Sequence, residues 1–152
     1  MQLIKPQEEH LLEMMTWFSS EQELNLWSGP DFRYPYNLSS FAEDLKLDSL
    51  HSFSLVSDEN EFCAFGQYYL RQGRCHLGRL IVNPGSRGQG IASQLMHRLC
   101  DSGLAQLNVQ ECSLFVLSHN EKAIKAYEKF GFSFADYPEE ITLENCLYMV
   151  KR

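Results

Sequence analysis

A chain of 152 residues, 44% apolar and 22% charged, suffices for one domain with a full core and leaves a second cramped. No window approaches the roughly 18 uninterrupted apolar residues of a membrane span, and MQLIKPQEEH opens without an apolar leader, so a soluble, unexported, cytoplasmic protein is expected. A net charge of −7 disfavours nucleic-acid binding, and Cys63, Cys75, Cys100, Cys112 and Cys146, lacking CxxC or CxxH spacing, suit reduced buried thiols better than disulfides or a metal.

Residues 2–5 alternate weakly and predict a strand. In "PQEEHLLEMMTWFSS" Pro6 stands at a helix start, and Leu11, Leu12, Met15 and Phe18 fall near helical spacing, which predicts a helix over about 6–20. "WSGPDFRYPYN" is broken by Gly29, Pro30 and Pro35 and predicts an aromatic-rich loop; "LSSFAEDLKL" predicts a short helix capped by Ser39 or Ser40. Three β-rich runs, 51–57, 61–71 and 74–82, are separated by the turn sequences "DEN" and "QG" and predict an antiparallel meander. Ile91, Leu95, Met96 and Leu99 mark a helix that should stop near Gly103. A strand at 112–117, a helix from Asn120 to about Phe130 and strands at 131–136 and 142–150 complete the chain. This order is a mixed α/β layout in which 74–82, the next helix and 112–117 form a right-handed parallel βαβ unit.

Charge is unevenly spread. Residues 1–70 hold 12 acids and 3 Lys/Arg, net −9, whereas residues 71–129 hold 8 Lys/Arg and 4 acids, net +4. Scattered solvated charge is one reading; the other is a division of labour, with an anionic ligand on the middle segment and a cationic one on the first.

The basic segment contains "NPGSRGQGIASQL", residues 83–95, a glycine-rich loop running into a helix. A Walker loop needs Lys-Ser or Lys-Thr after its last glycine, and none is present. A dinucleotide loop needs a third glycine where Ser93 stands and an acid ending the next strand, which instead ends in Leu117, Ser118 and His119. The run Arg87-Gly88-Gln89-Gly90-Ile91-Ala92 fits a third pattern, R/Q-x-x-G-x-G/A, and "NEKAIKAYEKFGF" at residues 120–132 fits N-x-x-A-x-x-x-Y-x-x-x-G-F. Together these resemble the two signature motifs of the GCN5-related N-acetyltransferases (GNAT), in order and at the expected separation. Residues 78–132 carry the resemblance closely.

The resemblance implies a single acyl-CoA-dependent N-acyltransferase domain over 1–152. Its central sheet, mostly antiparallel and of about seven strands, should be flanked by about four helices and splayed between 74–82 and 112–117. Glycines let backbone N–H groups approach a phosphate, and a helix N-terminus adds positive dipole. Arg87, Gly88, Gln89, Gly90, Ile91 and Ala92 are therefore expected to cradle the pyrophosphate of acetyl-CoA, with Leu80, Ile81 and Val82 holding its pantetheine arm through backbone. Asn120 and Tyr127, seven apart, lie near one helix face with Ala123 between them. In the family the Asn contacts the CoA arm and the Tyr hydroxyl lies near the thioester sulfur, which makes Tyr127 the expected general acid.

A neutral amine is also required. His76 is the best-placed ionisable side chain on strand 74–82, where some relatives carry a carboxylate base; Asp31 and Glu61 are lesser candidates, and the amine can instead arrive neutral. Strict alternation puts His76, Gly78, Leu80 and Val82 on one strand face and Leu77, Arg79 and Ile81 on the other. The acceptor site is expected in the first third, where Trp27, Asp31, Phe32 and Tyr34, with Tyr36, form an aromatic and acidic cluster suited to a cationic amine of a small molecule or peptide. No metal is implied, and a homodimer is compatible with the pattern. The rivals are a catalytically silent acyl-CoA-binding or sensing domain and a dinucleotide-binding oxidoreductase.

Overall fold

A computed structural model describes residues 1–141 and 143–152. Among them lie β1 (Gln2–Ile4), α1 (Glu8–Met15), α2 (Glu21–Ser28), α3 (Leu38–Leu45), β2 (His51–Val56), β3 (Phe62–Arg71), β4 (Arg74–Val82), α4 (Ile91–Leu107), β5 (Cys112–Leu117), α5 (Glu121–Phe130), β6 (Ser133–Phe134) and β7 (Cys146–Lys151). The fold is mixed α/β, with seven strands in the order β1-β2-β3-β4-β5-β7-β6. As the βαβ unit requires, β4 and β5 are parallel, in the register Cys75↔Cys112, His76↔Ser113 and Leu77↔Leu114. The expected strand at 142–150 begins at Cys146 instead, and Thr142 lies outside the described residues.

Contacts divide the chain into two units, Met1–Gln67 with Arg79–Arg98, and Tyr68–Gly78 with Leu99–Arg152. The core of the first unit is made by Leu11, Met14, Leu24, Phe32, Phe41, Leu45, Phe62 and Phe65, with Trp27 and Ile81 packed against it. Its helical part departs from expectation. The predicted helix over 6–20 is the shorter α1, and a second helix, α2, begins after Ser20, whose hydroxyl caps it by accepting from the Glu23 amide. Trp27 therefore sits on a helix and not in a loop. The cap of α3 is Asn37, which accepts from the Ser40 amide at 2.8 Å while the Ser40 hydroxyl accepts from the Asn37 amide at 3.0 Å. The predicted cap Ser40 thus supplies the other half of a capping box, because Asn37 is the residue in extended backbone.

In the second unit the β5–β7 ladder runs unbroken from Cys112↔Lys151 to Leu117↔Cys146. Gly103, expected to end its helix, lies buried inside α4. A Cβ there would collide with the Cys75 sulfur and lie 3.3 Å from the Tyr68 ring, so glycine is present for close packing and not for termination. Beside it, the hydroxyls of Tyr68 and Ser102 are 3.0 Å apart. Gly103→Ala is accordingly expected to destabilise the fold by about 1–3 kcal/mol through overpacking. Urea denaturation should show a lowered midpoint; an unchanged or raised one would mean that Cys75 and Tyr68 yield freely.

Candidate functional site

The first unit carries the glycine loop. Asn83 opens it: its Oδ1 accepts from the Gly85 amide at 2.9 Å, and its Nδ2 donates to the Phe62 carbonyl at 2.9 Å and to Glu13 Oε2 at 2.8 Å. A short 3-10 turn, Pro84–Ser86, follows, and Gly88 and Gly90 take left-handed backbone at φ of +81° and +72°. Nothing lies within 4 Å of where a Cβ would project from either glycine. Arg87, Gly88, Gln89, Gly90 and Ala92 are exposed, whereas the Ile91 side chain is buried in the core, so Ile91 can serve a ligand only through backbone. Two left-handed glycines leading into the free amides of a 17-residue helix make an anion cradle, and no side chain fills it. The residues present therefore fit a pyrophosphate. Asn83 was missed in the sequence, although Asn-Pro-Gly is a turn signature in which the Asn side chain bonds ahead to backbone.

Leu80, Ile81 and Val82 are half-buried on β4, and Ile81 packs on the first-unit core. The alternation expected along β4 is interrupted at Arg79, whose φ is +51°. A left-handed residue within a strand kinks it, so the residues before and after Arg79 do not form one continuous alternating face. Arg79 is held by a 3.0 Å bond from its Nη1 to Gln67 Oε1 and lies 5.1 Å over the Phe32 ring. Gln67 in turn donates to the Leu45 carbonyl and the Ser52 hydroxyl at 2.7 and 2.8 Å. Phe32 is buried, packed edge-on to Trp27 and Phe41 in the first-unit core. Of the expected acceptor cluster, Asp31 and Tyr34 are exposed and Trp27 is half-buried.

The second unit carries the other motif. Asn120 is the N-cap of α5, its Oδ1 accepting weakly from the Ala123 amide at 3.4 Å. Tyr127 is half-buried, 6.2 Å from Phe132 ring to ring. Its hydroxyl bonds to no other described residue and is not sealed from solvent. Burial of the ring pushes its pKa up to about 12, so the hydroxyl keeps its proton at any working pH.

His76 is buried, with Nδ1 at 2.8 Å from the Ser113 hydroxyl, and it packs against Phe115 and Tyr69 with ring centroids 4.6 and 5.3 Å away. Desolvation, aided by the positive charge of Arg71, lowers its pKa to about 3. The imidazole is neutral across the physiological range and a weak proton acceptor. Among the described residues no group of His, Cys, Asp and Glu is arranged to hold a metal ion, the five cysteines are free thiols, and no helix is long and apolar enough to cross a membrane.

Comparison with known proteins bears on both motifs. A stretch of 55 residues is 38% identical to spermidine N(1)-acetyltransferase of Escherichia coli, covering 36% of this chain and 30% of that relative. Among solved structures, the spermidine N-acetyltransferase of Vibrio cholerae in complex with CoA and spermine aligns at a TM-score of 0.73 and 17% identity over 98% of this chain and 93% of that one. A chimera built on the same Vibrio cholerae enzyme aligns at 0.73 and 15% identity over 99% and 95%. At these identities the structures speak for the fold alone. The profile of the acetyltransferase (GNAT) family matches residues 12–132, which take in both motifs and most of the chain, and the chain belongs to that family.

Proposed function

We propose that the chain works as one cytoplasmic acetyl-CoA-dependent N-acetyltransferase domain, moving an acetyl group to an amine by direct attack on the thioester. The observation that carries this reading is the presence of two features: an open anion cradle at residues 87–92, and a tyrosine in the second family motif whose hydroxyl is protonated and bonds to no other described residue. Acetyl-CoA supplies an activated acyl group. In the first unit the loop amides hold the pyrophosphate and the backbone of Leu80, Ile81 and Val82 holds the arm; in the second unit Asn120 and the small Ala123 are the proposed cosubstrate contacts, and Tyr127 gives its proton to the departing sulfur. Asn120 has Nδ2 to offer, since its Oδ1 caps α5.

For His76 the surroundings favour a supporting role. An imidazole with a pKa near 3 is a poor base for an ammonium, and its bond to Ser113 ties β4 to β5. The amine then loses its proton to solvent or binds already neutral. Free thiols throughout suit a reducing compartment.

The names of the relatives and the net charge of −9 over residues 1–70 support an acceptor that is cationic in solution. Exposed Asp31 and Tyr34 are the proposed contacts in the first unit, together with half-buried Trp27. Acetyl-CoA-dependent thiol release over a panel of amines tests the activity; a chain that binds CoA but releases none would be a silent binding domain. For an amine that is accepted, the Michaelis constant should rise with salt, as the Debye length falls from about 30 Å at 0.01 M to about 8 Å at 0.15 M. Asp31→Asn should raise it and flatten that dependence while leaving the acetyl-CoA constant in place. Indifference to both changes would reduce the acidic third to solvated surface.

A further inference from the structure

Arg71, the last residue of β3, is a cation held in place without a counter-ion among the described residues. Its Nε donates to the Tyr137 hydroxyl at 2.8 Å and its Nη1 to the Tyr69 hydroxyl at 3.0 Å. The guanidinium carbon lies 5.0, 5.6 and 5.9 Å from the ring centres of Phe115, Tyr137 and Tyr69. All these residues belong to the second unit. The other arginines of that unit contrast with it: Arg74 and Arg152 both reach Glu111, at 2.7 and 3.1 Å. No carboxylate among the described residues comes within 4.0 Å of Arg71.

An arginine has five N–H donors, of which two are used here, and Nη2 bonds to no other described residue and is not closed off from solvent. Its charge is felt by its neighbours: burial lowers the His76 pKa and Arg71 adds to that, while burial raises the Cys146 pKa and Arg71 offsets part of the rise. Cation–π attraction alone would explain a guanidinium lying close to three aromatic rings. It does not explain why two tyrosine hydroxyls take the Nε donor and one Nη1 donor while both Nη2 donors bond to no other described residue. A planar fork, oriented in advance and short of an anion, matches a carboxylate bidentately, and the rotamer entropy of the long side chain is already spent.

We propose that Arg71 binds a carboxylate, and that the acetyl acceptor is an amine carrying a free carboxylate, an amino acid or a short peptide. The substrate half of this inference rests on the proposed acetyl transfer; the binding half does not.

Calorimetry and turnover on matched pairs test it. The probes are Nα-acetyl-lysine and Nα-acetyl-lysinamide, which share one ε-amine and differ in the carboxylate, together with a set of dipeptides in free-acid and amidated form. Wild-type protein should bind at least one free acid about 10- to 100-fold more tightly than its amide, the range of a charge-assisted bidentate bond. Arg71→Gln should abolish the preference while the amide affinity and the CoA affinity stay as they were. Arg71→Lys, which keeps the charge and loses the fork, should retain only part of it. Tyr137→Phe, which frees the Nε edge, should weaken acid binding and spare the amide. If no acid outbinds its amide in wild-type protein, or if spermidine is acetylated and every acid is ignored, the proposal falls, whether or not the variants fold. Acid binding that depends on Arg71 without acetylation of any amine would uphold the carboxylate site and remove the acetyl transfer.

Discussion

Gly90→Val is expected to weaken CoA binding by at least about 100-fold while the protein stays folded. Gly90 has a φ of +72°, and a left-handed residue costs an L-amino acid roughly 1–2 kcal/mol, more when it is β-branched. Because residues 88–90 are exposed and nothing crowds them, the loop of the variant can relax to negative φ at little cost to the fold. Binding must then reverse that relaxation, which alone is worth about tenfold or more, and must also press two methyl groups into the space that a phosphate needs. Gly88→Glu, at φ +81°, should do at least as much harm, since it adds a negative charge at the cradle. Gly85→Ala is the control: its φ is not in the left-handed region, and its Cβ would meet Asn83 Oδ1 at an ordinary 3.5 Å. Isothermal calorimetry with CoA should find the control within about threefold of wild type. Full affinity in both Gly90→Val and Gly88→Glu would show that the loop is a turn and nothing more.

The parts of this fold that local chemistry dictates were legible in the sequence. The hairpin turns between β2, β3 and β4, the helical spacing of Ile91, Leu95, Met96 and Leu99, and the two family motifs each lie within a dozen or so residues, and the structure has the elements there. What failed depended on tertiary neighbours. Gly103 carries the same signal as a helix stop, and only the nearness of Cys75 and Tyr68 makes it a packing residue instead. Phe32 does lie in the loop before α3, but its burial depends on Phe41 and Trp27, which folding brings to it. Arg79 looks like one more alternating strand residue until Gln67 and a positive φ are seen. The helix α2 lacked a strong periodic signal, with Leu24 its one fully buried residue.

The site divides in the same way. Gly88 and Gly90 announced themselves because glycine is the residue that left-handed backbone demands. His76 was a candidate by position, yet burial among Phe115, Tyr69 and Ser113, which no local pattern encodes, sets its proton affinity. Arg71 drew no notice, because of the groups around its guanidinium only Tyr69 is near in sequence, whereas Phe115 and Tyr137 come from far along the chain.

Tyr127→Phe should lower the turnover number about 100-fold at saturating acetyl-CoA and leave CoA affinity nearly unchanged. Proton transfer by a positioned acid contributes about 10²- to 10⁴-fold, and it is most effective when the acid's pKa lies near the working pH. The Tyr127 hydroxyl, pushed up to about 12, lies well above the roughly 8.5 of an ordinary thiol. Its proton therefore moves uphill to a solvated thiolate, which places the expected loss at the lower end of that range. The same shift fixes the pH profile. A phenol with a raised pKa stays neutral until the pH approaches that value, so Tyr127 contributes no falling limb to the turnover number between pH 7 and 10, where an ordinary tyrosine near 10 would already begin to lose its proton. Steady-state rates over that range in wild-type and Tyr127→Phe protein check both points. A turnover number unaltered by the substitution would make Tyr127 a packing residue, and a wild-type limb near pH 9 to 10 that vanishes in the variant would show its pKa to be ordinary.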